Sequence, residues 1–108
     1  PNQIMKMPLT LVTVVIEGLL KEQLIQLLRR NGATGFTITR TEGEGSRGVR
    51  ASDWEGPNLR FECIVPQESG DRILQEVGEI FFENYSVIAW LTQVNVLRGE
   101  KFTRDGTP

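Results

Sequence analysis

Eight consecutive residues, Leu9-Thr-Leu-Val-Thr-Val-Val-Ile16, carry apolar or β-branched side chains at odd and even positions alike. Branched Cβ atoms pack well on a pleated surface, so the run predicts a strand. Because successive side chains point to opposite faces, both faces of that strand must be covered. A chain of 108 residues meets this demand as one compact unit with the strand near its centre. Pro8 precedes the run and Glu17-Gly18 follows it.

Beyond Gly18 the period changes. Leu20, Leu24, Leu27 and Leu28 fall at i, i+4, i+7 and i+8, while Lys21, Glu22, Gln26, Arg29 and Arg30 stay polar, which predicts an amphipathic helix. Asn31-Gly32 closes it, since glycine accepts the left-handed cap and the two arginines suit the negative helix end. Phe36, Ile38 and Arg40 alternate with Thr37, Thr39 and Thr41 as a second strand. Leu59, Phe61, Cys63 and Val65 form a third, ended by Pro66. Ser69 is the expected cap of a second helix, with Asp71 in its first turn and a stripe of Ile73, Leu74, Val77, Ile80 and Phe81. Val87 to Leu97 predicts a long fourth strand, with Ile88, Trp90, Thr92, Val94 and Val96 on one face and Val87, Ala89, Leu91, Gln93 and Asn95 on the other. From Arg98 the tail is polar and expected to be mobile.

The order strand, helix, strand, strand, helix, strand is the ferredoxin-like βαββαβ arrangement of the α+β class. Two helices cover one face of a four-stranded sheet, yet the first and fourth strands carry apolar residues on both. The uncovered face calls for a partner, and self-association into a closed ring buries it most simply.

Composition narrows the chemistry. Histidine is absent, which removes the commonest general base and the usual neutral metal ligand, so a hydrolase triad or a zinc site is not expected. Twelve Lys+Arg against fourteen Asp+Glu give a net charge of −2, too little positive field for nucleic-acid coating. Cys63, the single cysteine, forms no internal disulfide. It reads as a buried small hydrophobe of a reducing compartment, with the cytoplasm as default. No apolar run approaches the roughly 20 residues of a spanning helix.

The segment Thr41 to Pro57 is far longer than the two to five residues of an ordinary hairpin connection. Gly43, Gly45 and Gly48 let backbone N–H groups turn toward an anion, Ser46 adds a hydroxyl, and Arg47 and Arg50 add planar forks suited to phosphate. Glu42, Glu44, Asp53 and Glu55 oppose an anion, so a ligand-free mixed-charge loop stands as the other reading. Trp54 reads as a docking residue or an isolated exposed aromatic. Trp90 reads as core or subunit interface rather than a base-stacking platform. Lys101 and Arg104 either reach a phosphate or lie in a solvated tail.

Three stretches resemble the PII signalling superfamily: Gly32-Ala-Thr-Gly-Phe-Thr-Ile-Thr39, Gly43-Glu-Gly-Ser-Arg-Gly-Val-Arg50 and Leu59-Arg-Phe-Glu-Cys-Ile-Val-Pro66. The Gly-Ser-Arg-x-Val-Arg element is similar to its SbtB branch, and the likeness runs from about Leu9 to Phe102. The resemblance implies a PII-like homotrimer of ferredoxin-like subunits that binds adenine nucleotides (cAMP, AMP, ADP and ATP) in clefts between subunits, with a divalent cation as a possible companion of ATP. It further implies regulation of the sodium-dependent bicarbonate transporter SbtA in inorganic-carbon acclimation, and peripheral association with the inner membrane through that partner. Residues 41–57 would be the T-loop that reports ligand state, and nucleotide sensing rather than turnover its purpose, with slow ATP or ADP hydrolysis compatible with it.

Carried over by position, Arg47 and Arg50 match the arginines that meet nucleotide phosphate, and Gly45 and Ser46 match the backbone before them. Thr41 and Gly43 match the T-loop base. Ser86 to Ala89, with Val87 and Ala89 as the candidates, match a wall of the neighbouring cleft. Glu83 to Leu91 lacks the glycine- and lysine-rich B-loop of nitrogen-regulatory PII proteins, and the tail lacks the paired cysteines of some SbtB proteins. A carboxysome-associated PII-like protein that senses adenine nucleotides or bicarbonate is the alternative within the superfamily. A small phosphate-cleaving enzyme on the same fold is the alternative outside it.

Overall fold

The computed structural model describes residues 5–42 and 58–103. Strand β1 (Met7–Glu17) is followed by a 3-10 turn (Gly18–Leu20), helix α1 (Lys21–Arg30), β2 (Thr37–Thr41), β3 (Asn58–Val65), α2 (Gln67–Phe81), β4 (Val87–Val96) and a second 3-10 turn (Gly99–Phe102). The sheet order is β2-β3-β1-β4, and every neighbouring pair is antiparallel. The expected α+β ferredoxin-like fold is therefore observed, with the doubly apolar strand β1 in the interior of the sheet.

Register assigns the two faces. Val12, Val14 and Ile16 lie opposite Cys63, Phe61 and Leu59 on β3 and Leu91, Ala89 and Val87 on β4. These side chains join Leu20, Leu24, Leu27 and Leu28 from the first helical segment and Ile73, Val77 and Phe81 from α2 in one core. Each fully buried leucine or phenylalanine contributes about 1.5–3 kcal/mol by leaving water, so the helical stripes are what hold α1 and α2 to the sheet. The odd positions Leu11, Thr13 and Val15 face the other way, in register with Ile64, Glu62 and Arg60 and with Thr92, Trp90 and Ile88.

The helix ends differ in how well their residues foretell them. At the end of α1, Gly32 takes φ 97°, and the Asn31 amide donates to the Leu27 carbonyl at 2.9 Å, satisfying one of the last unpaired carbonyls. Helix α2, by contrast, starts at Gln67 with Pro66 as its cap residue, and Glu68 is the acid of its first turn. Ser69 does not cap it. The serine already lies inside the first turn, where its hydroxyl accepts from Arg72 Nη2 at 3.2 Å, because Pro66 fixes the chain's entry three residues earlier than a cap at Ser69 requires.

The tail is also more ordered than its polarity suggests. Arg98 turns the chain with φ 58°, and Gly99 is buried. A Cβ on Gly99 would stand 2.5 Å from the Met7 sulfur, so the absence of a side chain is what lets the tail close over the start of β1. Residues 104–108, including Arg104, lie outside the described residues.

Candidate functional site

The end of the sheet that leads into the long loop forms one row. Thr41, the last residue of β2, pairs with Asn58, Asn58 pairs with Glu17, and the Glu17 carboxylate accepts the Ser86 backbone N–H at 2.8 Å. The bond fixes the entry to β4, next to Val87. Thr41 and Val87 thus share one end of the sheet, on opposite edges, with β3 and β1 between them. At about 4.8 Å per strand, that separation is too wide for both to touch one phosphate within a single subunit. Val87 and Ala89 pack against the core on the helix-covered face. Gly43, Gly45, Ser46, Arg47 and Arg50 lie outside the described residues, as does Trp54.

At the opposite end of β2 lies a cavity of 350 Å³, lined by Leu11, Gly35, Phe36, Thr37, Glu62, Cys63, Ile64 and Phe102. Its walls are largely apolar. Phe36 is braced from below by the Phe61 ring, 6.1 Å away, and from outside by the Arg29 guanidinium, 5.7 Å from its centroid. Phe102 comes from the ordered tail, so the buried Gly99 turn completes the cavity. Burial pushes the Cys63 thiol up to about 11, which keeps it protonated and makes it a neutral wall rather than a nucleophile. Glu62 supplies the carboxylate. It is about one-third exposed and accepts from Arg60 Nη2 at 3.5 Å, a distance that leaves its acceptor capacity largely unspent.

An apolar slot with one carboxylate and adjoining backbone suits a flat heteroaromatic ring carrying an amino group. The four rises from Thr37 to Thr41 span roughly 13 Å, which places the slot at one end of β2 and the start of the glycine- and arginine-bearing loop at the other. The sequence alone does not reveal the slot. Leu11, Phe36, Ile64 and Phe102 come from four separate segments; the first three read alone as ordinary strand residues, and Phe102 falls in the tail expected to be mobile.

The chain matches the family Nitrogen regulatory protein P-II over residues 9–101. It belongs to the PII family. Among solved structures, a PII-like signalling protein from Thermus thermophilus is 51% identical, with 91% of this chain and 98% of that one covered and a TM-score of 0.80. CPII from Thiomonas intermedia K12, a nitrogen regulatory PII-like protein bound to ADP, AMP and bicarbonate, is 27% identical, with 94% and 99% covered and a TM-score of 0.84. CPII bound to ADP, AMP and acetate is 29% identical, with 94% and 100% covered and a TM-score of 0.79. The protein is thus PII-like in fold and family. No helix among the described residues is long and apolar enough to cross a membrane.

Proposed function

We propose that this PII-family protein senses adenine nucleotides in clefts between the subunits of a homotrimer, and that residues 41–57 carry the signal to a membrane bicarbonate transporter of the SbtA type. The observation that carries the reading is the slot at the start of β2, apolar on its walls and edged by Glu62. Placed there, an adenine directs its sugar and phosphate along β2 toward the loop that holds Arg47 and Arg50. Thr41 and Gly43 then serve as the loop's base, Gly45 and Ser46 offer N–H and O–H donors, and Val87 and Ala89 of the adjoining subunit back the cleft wall. The wide separation of Thr41 from Val87 supports a site shared between subunits. CPII bound to ADP and AMP supports the ligand class.

Nucleotides that differ in phosphate number place different charge beside Arg47 and Arg50. Such a ligand shifts the loop only by the ratio of its affinities for the loop's two states. cAMP, AMP, ADP and ATP can therefore favour different loop states, which gives a transporter something to read. Any divalent cation accompanying ATP would be bound chiefly through the phosphates, since among the described residues no group of three or more acidic or thiol side chains is placed to hold one.

A second reading has its own support. CPII with bicarbonate as well as nucleotides favours a protein that senses bicarbonate directly, associated with carboxysome function rather than with SbtA. Calorimetric titration with cAMP, AMP, ADP and ATP, with and without bicarbonate, tests both. Saturable binding is expected, and Arg47→Ala or Arg50→Ala should weaken it by about 1–3 kcal/mol for each charged hydrogen bond removed. Absence of heat with every nucleotide overturns the proposal. Bicarbonate-dependent affinity without co-purification of a transporter selects the second reading.

A further inference from the structure

A second cavity, of 190 Å³, opens where α1 ends and α2 begins, lined by Arg29, Arg30, Arg72, Ser69, Phe102 and Thr103 among others. Three arginines line it. The first two sit at the C-terminus of α1, where the helix dipole favours cations, but Arg72 is drawn toward the N-terminus of α2, where the dipole disfavours them. It is held there by the Ser69 hydroxyl, which accepts from Nη2 at 3.2 Å, and by Asn31 Oδ1, which accepts from Arg72 Nε at 3.4 Å. Asn31 is buried, and its amide is spent on the Leu27 carbonyl at 2.9 Å, so the residue that positions Arg72 is itself locked in place.

The charge there is only partly balanced. Arg30 gives Nε and Nη2 to one Glu76 oxygen, at 3.1 and 2.7 Å. Among the described residues Arg72 bonds only neutral oxygens, and no hydrogen bond engages the Arg29 guanidinium. Among the described residues, three arginines and the one hydrogen-bonded carboxylate, Glu76, leave a positive surplus beside a cavity that also has the Ser69 hydroxyl on its wall. The two helix-end dipoles oppose one another and do not remove this surplus. Planar forks beside a space of this size suit a tetrahedral or branched oxyanion.

We propose that this cavity binds a small multivalent oxyanion of the phosphate type, at a site separate from the slot beside β2. The two cavities share Phe102, and Arg29 lies in the anion cavity while its guanidinium covers the Phe36 ring of the slot. Occupancy of one therefore alters a wall of the other, and any such coupling is reciprocal.

The test follows backbone amide resonances of the full-length protein during titration with inorganic phosphate at constant ionic strength, with chloride as control. Saturable shifts centred on Asn31, Gly32, Ser69, Arg72 and Thr103, reached below about 10 mM, are expected from phosphate and not from chloride. Arg72→Gln should weaken phosphate binding about tenfold or more. If that variant disturbs the Asn31 contact and unfolds the helix end, Arg29→Gln, which breaks no hydrogen bond among the described residues, reads the same weakening. Linear, unsaturated shifts, equal shifts with chloride, or no weakening in Arg29→Gln overturn the site. Shifts confined to Leu11, Gly35, Thr37 and Ile64 also overturn it, because they place phosphate in the slot. AMP titrated in parallel reports on the slot, so failure of one site is told apart from failure of the other.

Discussion

The two faces of the sheet are built on the same strand and obey different rules. On the helix-covered face, Val12, Val14 and Ile16 of β1 are buried with Phe61 and Val65, none more than 1% exposed. On the other face Val15 and Leu11 are half-buried, Ile88 is 58% exposed, and the Arg60 guanidinium lies 5.6 Å from the Trp90 ring. Thr13 sits between Glu62 and Trp90 in register, buried, with its hydroxyl unpartnered among the described residues. Val12, Val14 and Ile16 join the core, whereas Leu11 and Val15 stay half-buried on a face that also carries Arg60, Trp90 and the exposed Ile88. In the proposed trimer, a period of two would let one strand serve folding and assembly without conflict.

Substitutions on the two faces should separate those roles. Phe61→Ala removes a ring that is 1% exposed and central to the core, and should cost about 3–5 kcal/mol in denaturant unfolding. Ile88→Asp on the opposite face should leave far-ultraviolet circular dichroism unchanged while light scattering shows the assembly dissociating. A carboxylate trapped between apolar surfaces costs several kcal/mol, whereas one on an exposed strand costs little. An Ile88→Asp protein of undiminished mass would mean that this face is not where subunits meet, and the division of labour along β1 would fail.

The covered face is more legible in the sequence than the uncovered one. The i, i+4, i+7, i+8 leucines of the first helical segment, Leu20 in the 3-10 turn and the rest in α1, and the branched run of β1 each state their burial locally, and the structure agrees with them. Ser69 misleads because cap preference follows residue type, while Pro66 has already set where α2 begins. The tail misleads because the burial of Gly99 depends on Met7, far away in sequence. For the same reason the slot beside β2 is hidden, since no local pattern brings Leu11, Phe36, Ile64 and Phe102 together. Thr41, Val87 and Ala89 are legible as strand residues, but only sheet order shows that Thr41 and Val87 stand on opposite edges.

Cys63 sharpens the comparison through pH. Its neighbours on β3 alternate between the faces, and its own side chain belongs to the covered one, where burial raises the thiol from 9.0 to about 11. Below pH 9 the thiol is protonated in the folded and unfolded chain alike. Between about pH 9 and 11 the unfolded thiol ionises while the folded one holds its proton, so stability falls as pH rises, and it levels off above that window. The loss approaches about 3 kcal/mol. It should appear as the difference between the native protein and Cys63→Ala in parallel unfolding series, which cancels tyrosine and lysine titration. A difference that stays flat from pH 8 to about 11 would place the thiol in contact with water.

The smallest effect is expected at the outer surface of the helical layer. Arg30 and Glu76 tie α1 to α2 with a 2.7 Å contact, but their side chains are 51% and 30% exposed. Water and salt screen such a pair, and ordering two long side chains offsets much of the attraction. Arg30→Ala should therefore cost under about 1 kcal/mol, and a double-mutant cycle with Glu76→Ala should return a coupling that shrinks as salt is added. A coupling of several kcal/mol that resists salt would mean that the helices are held by charge as much as by their leucines. The contrast between the core and the opposite face would then need a third, ionic contribution within the helical layer itself.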